Sequence, residues 1–211
     1  MNSKFLFATV AIVAAANVFP AWAADPEPYE FAGLRLGMTM EDFRKMAPTA
    51  QGGKAVCTGD AISRDMDVPS IFSLPPELSA AGVKRCAYFG PHPDGKLRPM
   101  ELDLRGVPAT AWSLFYAEGA GAPHRLTQIN LWIPTPGYGG VVKMLASGYG
   151  PPKVQNSHAT IWDNGVSEIV ASFQSSAEPS SPIFFIHRAL QASLSGKLGG
   201  DKPAKAPGKK K

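Results

Sequence analysis

Apolar and polar positions change rhythm along the chain, and the changes mark its elements. Met100, Leu102 and Leu104 alternate with Glu101, Asp103 and Arg105, a period that predicts a half-buried strand. Similar short runs predict strands over 31–36, 55–58, 85–89, 111–117, 126–133, 159–163, 166–174 and 183–187, the last running into a short helix through Gln191. Asn164-Gly165 between two alternating runs predicts a tight hairpin. Two stretches take the helical period instead. The first covers 39–47, with Thr39 and Asp42 in capping-box spacing, Met40, Phe43 and Ala47 as its apolar stripe, and Pro48 as its stop. The second covers 138–147, with Val141, Val142 and Leu145 inward and Gly148 expected just past its end. Between the second and third strands, 59–82 is irregular apart from a short helix opened by Pro75-Pro76 and closed at Gly82.

Short connections between the late strands require antiparallel pairing. The fold class is therefore α+β: an antiparallel sheet with two or three short helices packed on one face, the other face being either open to solvent or covered by the inserted segment or the second helix. The helices at 39–47 and 138–147 mark a weak internal duplication within a single domain over 24–195, with halves 31–134 and 135–195.

Composition adds a compartment. Hydrophobic residues are 45% of the 211 and charged residues 18%, enough apolar surface for a core, which excludes a chain disordered throughout. Lys4, the apolar run Phe5–Phe19, Pro20 and Ala21-Trp22-Ala23 form the three regions of a signal peptide over 1–23, cleaved near Ala23. The mature protein is expected in the periplasm, or secreted, with no transmembrane segment after cleavage. In that oxidising setting Cys57 and Cys86, the two cysteines of the chain, predict a disulfide. The net charge of +4 belongs to the end of the chain: Lys197–Lys211 holds six Lys against one Asp, whereas the body after the leader is acidic. The segment 196–211, rich in Lys, Pro, Ala and Gly, is expected to be a disordered basic tail, either merely solubilising or touching an anionic envelope polymer. Export discounts nucleic acid as a partner.

Two local patterns carry a resemblance. Gly33-Leu-Arg-Leu-Gly37-Met38-Thr39-Met-Glu41-Asp-Phe43, ending at Pro48, resembles the helix start of outer-membrane-assembly lipoproteins of the SmpA/OmlA type, whose helix-plus-sheet fold is related to the β-lactamase-inhibitor-protein-like repeats. Leu145-Ala-Ser-Gly-Tyr149-Gly150-Pro151 followed by Trp162 is similar to a stretch of many small exported bacterial proteins. The lipoprotein cysteine is absent and 58–82 is an insertion relative to that pattern. The resemblance implies a fold and a habit of protein–protein contact.

Candidate chemistry is sparse. No nucleophile elbow, phosphate loop, dinucleotide fingerprint or zinc-helix motif occurs, so the sequence names no catalytic residue, no metal ligand and no cofactor. The four histidines are widely separated; His158 and His187 are the pair that could meet, across late strands, but satisfied or exposed histidines are the expectation. Glu101 and Asp103 share one side of a strand, a spacing used in acid/base pairs and also by any solvated face. Aromatic placement points elsewhere. Ile129, Leu131 and Ile133 face the core, so Gln128, Asn130 and Trp132 face away; Thr160 and Trp162 share one side of a later strand. Trp beside polar amides on an open face has the composition of a recognition surface. The expectation is a non-enzymatic interaction module of the bacterial envelope, binding another envelope protein through Gln128, Asn130, Trp132, Thr160 and Trp162. The alternative is a small-ligand carrier, or an enzyme acting on an envelope component without a recognisable motif.

Overall fold

The computed structural model describes residues 26–175 and 177–199; the leader and 200–211 of the tail lie outside the described residues. In chain order the elements are β1 (Glu30–Phe31), β2 (Leu34–Arg35), α1 (Met40–Lys45), β3 (Lys54–Cys57), α2 (Pro76–Ala80), β4 (Lys84–Pro91), β5 (Leu97–Pro99), β6 (Glu101–Asp103), β7 (Pro108–Tyr116), β8 (Arg125–Pro134), α3 (Tyr138–Tyr149), β9 (Val154–Gln155), β10 (Ala159–Asp163), β11 (Ser167–Ser172), β12 (Ser180–His187) and α4 (Arg188–Lys197). The main sheet runs β3-β4-β7-β8-β12-β11-β10-β9, with β5 on β4 and β6 on β7. Every pairing in it is antiparallel, and the fold is α+β. The order is symmetric about the β8–β12 pair. On each side a helix is followed by a four-strand meander, and the two final strands meet.

The capping pattern at 39–42 forms as its chemistry requires. The Thr39 hydroxyl accepts from the Asp42 N–H at 3.1 Å, and Glu41 and Asp42 occupy the first turn of α1. Gly37 before it holds φ +86° and donates its N–H to the Leu126 carbonyl. A Cβ there would lie 3.3 Å from the His187 ring, so both conformation and space select glycine.

Three sequence expectations are corrected. The expected strand over 31–36 is a hairpin, because Ala32 and Gly33 both take positive φ and turn the chain between β1 and β2. The helix from Tyr138 runs through Gly148 to Tyr149 and ends at Gly150, φ +82°. Tyr149 is kept in the helix by its ring contacts with Tyr29 and Phe185. The last helix extends past Gln191 to Lys197, because Leu190 and Leu194, one turn apart, are both buried. It therefore takes in the first two residues of the segment assigned to the tail.

The main core lies between one face of the sheet and the pair α1 and α3. It holds Phe43, Phe115, Ile129, Leu131, Ile133, Val141, Leu145, Trp162, Ile169 and Phe185. The opposite face is dressed unevenly. Met66 and Phe72, from the irregular 59–82 segment, cover Val56, Ala87, Phe89 and Trp112. Leu78 of α2 and Leu194 of α4 join Leu114 and Tyr116 in a third cluster. No helix among the described residues is long and apolar enough to cross a membrane.

Candidate functional site

Cys57 and Cys86 stand directly opposite each other on β3 and β4 and form a disulfide, both ends buried. It closes a separation of 29 residues, worth about 3.5 kcal/mol by chain entropy. The bond ties the edge strand to the sheet on the core face and leaves no free cysteine among the described residues.

The register decides which predicted binding residues belong together. Trp132 pairs with Thr110 on β7 and Pro182 on β12; Asn130 pairs with Trp112 and Phe184; Gln128 pairs with Leu114 and Ile186. These three share the face away from α1 and α3. Thr160 and Trp162 do not. Trp162 pairs with Ile169, which pairs with Phe185, which pairs with core Ile129. Trp162 is 1% exposed and Thr160 2%. The expectation of one shared face is corrected here. Alternation within a single strand gives its two sides, and only the register across β11 and β12 says which side is which. The Trp162 indole N–H donates to the Gly150 carbonyl at 2.8 Å, and the Thr160 hydroxyl lies 3.4 Å from that of Tyr138. The Tyr149-Gly150…Trp162 pattern is thus a clamp that locks the end of α3 to β10.

Around Trp132 the surface is concave. An open groove of about 530 Å³ is lined by Pro69, Arg98, Pro99, Glu101, Thr110, Trp112, Trp132 and Ser180. β7 and β8 supply its floor, β5 and β6 one wall, and the 59–82 segment the other through Pro69. Trp112 is 3% exposed and fixed by the Phe72 ring at 5.6 Å, whereas Trp132 is half-buried and offers its ring to the groove. The Asn130 side-chain oxygen, across from Trp112 in the register, is buried without a hydrogen-bond partner among the described residues.

Arg98 is pinned rather than free. Its guanidinium contacts Asp67 at 3.2 Å and Asp94 at 2.8 Å. The Lys96 backbone N–H, followed by His92 and Arg98, holds the Asp94 carboxyl below its ordinary range. Asp67 and Asp94 offset the Arg98 charge, and exposed Glu101 adds a carboxylate to the groove's lining, so the local charge is negative. Arg98 and Glu101 also line a second concavity of about 530 Å³, with Gln51, His92 and Met100. Among the described residues that line the groove, none pairs a nucleophile with a base. Its chemistry is aromatic stacking, hydrogen bonding and attraction for cations.

The other candidates separate. His158 leads into β10, where Ala159 pairs with Ser172, whereas His187 pairs with Ser167 at the opposite end of β11. They do not converge. Burial lowers the His187 imidazole below its ordinary value, and its Nδ1 accepts from the Leu190 N–H at the start of α4. Asp103 accepts from the Gly106 N–H in the β6–β7 turn, a local structural bond, while Glu101 lines the groove. Among the described residues no group of three or more His, Cys, Asp or Glu could hold a metal ion. Sequence reasoning missed Arg98 and Trp112. Trp112 was discoverable, since it alternates with Ala111 and Ser113; Arg98 carried no signal before the β4–β5 hairpin was known.

No protein-family model, curated protein or solved structure matches this chain.

Proposed function

We propose that the protein is an exported, non-enzymatic binding module of the bacterial envelope, and that the groove beneath Trp132 receives an extended, uncharged or basic segment of another envelope protein. One observation carries this reading: a half-buried Trp132 and a fixed Trp112 form the floor of a groove of about 530 Å³ whose ridge bears Glu101. Large aromatic surfaces set in a concavity supply most of the affinity of typical protein contacts. The disulfide and the signal-like leader support export. The two helix-plus-meander halves support a duplicated unit, in which the second half braces the sheet and the first half, with its insertion, carries the contact.

Capture from an envelope extract tests this, followed by binding to the purified partner. Trp132→Ala is expected to weaken binding at least about tenfold, as truncating a central aromatic anchor does. Glu101→Lys is expected to weaken it further for a basic partner. A purified partner that binds wild type and Trp132→Ala equally would refute the assignment of the face. Recovery of anionic polymer alone, abolished by salt or by deleting 200–211, would transfer the function to the Lys-rich tail.

A further inference from the structure

A third concavity lies on the other side of the sheet, within the layer between α1 and β7. It has a volume of about 260 Å³. Its origin is legible in the side chains. On β7 the residues facing α1 are Ala111 and Ser113, whereas their partners on β8 are Leu131 and Ile129. The floor under α1 is therefore made of small groups. α1 itself is six residues long and buries only Phe43, stacked on Tyr88 at 4.4 Å. A short helix over a small-residue floor leaves space, and native interiors leave few voids larger than a water molecule without using them.

The walls are apolar: Leu34, Phe43 and Leu102. Glu101 lies at its edge, the Tyr88 hydroxyl donates to the Phe43 carbonyl, and Ser113 lies on the floor. Ser113 is 3% exposed, and its hydroxyl has no protein partner among the described contacts. The other buried hydroxyls behave differently, since Thr127, Thr135, Thr160, Ser167 and Ser181 all have side-chain contacts within hydrogen-bond distance. The Ser113 hydroxyl is reached from the cavity and is the group on its floor with which a ligand's polar atom can pair.

The rim is built to move. Met46, 42% exposed, rests on Gly33, where a Cβ would come within 2.8 Å of its methyl carbon. Met100 rests on Gly90, where a Cβ would lie 3.0 Å from its Cγ. Unbranched methionine side chains adapt to what they cover. Exposed Glu101 also borders the cavity and repels anionic heads.

We propose that this cavity binds a small uncharged molecule with an apolar body and a single hydroxyl or carbonyl that hydrogen-bonds Ser113. Size follows from scaling. A cavity of roughly 150 Å³ accepts benzene, so about 260 Å³ accepts about ten non-hydrogen atoms. This is the class of alkylphenols and medium-chain alcohols. The site shares Glu101 at its edge with the Trp132 groove, but its floor, Ala111 and Ser113, faces the other side of the sheet.

Calorimetry on the full exported chain with 4-propylphenol, propylbenzene and 4-propylbenzoate tests it. The phenol is expected to bind, the hydrocarbon more weakly, and the carboxylate weakest. Ser113→Ala is expected to weaken the phenol roughly three- to tenfold, the worth of one hydrogen bond, and to leave propylbenzene unchanged. Ala111→Leu is expected to abolish binding of both while raising the melting temperature of the unliganded protein, which shows that the fold survives. Trp132→Ala is expected to bind the phenol as wild type does. No binding of 4-propylphenol at millimolar concentration, or undiminished binding by a folded Ala111→Leu variant, would overturn the proposal.

Discussion

The two halves of the sheet solve the same packing problem differently. A single cross-strand row runs through both: Cys57, Cys86, Ser113 and Ile129 in the first half, then Phe185, Ile169 and Trp162 in the second. The first half sets small side chains under a six-residue helix, and the second sets large ones under a twelve-residue helix. Large side chains fill the second half, and Trp162 fastens α3 to β10. The first half keeps a cavity and secures its edge with a covalent bond. The back faces differ in the same sense. The insertion builds a groove over the first half, while Ile161, Val170 and Phe184 on the second half stay half-exposed. One topology thus yields a bracing unit and a unit with room for ligands.

Substitutions can break this contrast. Trp162→Ala has the largest expected effect, about 4 kcal/mol, from the lost packing of a fully buried ring, and its indole bond to Gly150 goes with it. Thermal unfolding should show a drop of about 10 °C or more. If the second half is the brace, the loss should be global and cooperative. Replacing both Cys57 and Cys86 by Ala should cost about 3.5 kcal/mol through the freed loop, a shift of about 10 °C. Hydrogen exchange should place the first loosening in β3 and β4 and leave β10–β12 protected.

Smaller changes sharpen it. Thr39→Ala removes the cap of a helix that buries one residue, and should cost about 1 kcal/mol in denaturant titration. Arg105→Gly should stabilise by about 0.5 kcal/mol, because Arg105 holds φ +57° in the β6–β7 turn, a conformation costly for a residue with a Cβ. Asp163→Asn should have the smallest effect. The Gly165 N–H first, and then Lys153 and Arg188, hold the Asp163 carboxyl below its ordinary value of 3.8. The stability it gives is therefore present above that value and lost as pH falls through the lower folded one. Wild type and variant should differ at neutral pH and converge in acid, as melting curves across pH will show.

Much of the fold was legible because its signals are local. Asn164-Gly165 turned where expected, Thr39 capped as expected, and β10 began and ended at Ala159 and Asp163. The cysteines were legible through the compartment rather than through geometry. What sequence could not give was the relation between distant strands. Trp132 sits on its predicted side, and Trp162 shares a side with Thr160 as alternation requires, but that side faces the core. Their faces are opposed because β12 and β11 intervene with a register that no local pattern encodes. The groove was hidden for the same reason. Trp112, Trp132, Arg98 and Pro69 come from separate segments and meet only after the insertion folds over β4 and β7. The cavity was hidden more deeply, since Ala111 and Ser113 read as ordinary strand residues until α1 proves too short to cover them.

The most direct measurement is a hydrogen-exchange footprint of the protein with and without its captured partner. The account predicts new protection confined to β5–β8 around Arg98, Thr110 and Trp132, with none at α3 or β10–β12. Protection on the α1–α3 side, or across the Ile161–Val170–Phe184 row, would contradict the claim that the groove beneath Trp132 is the contact site.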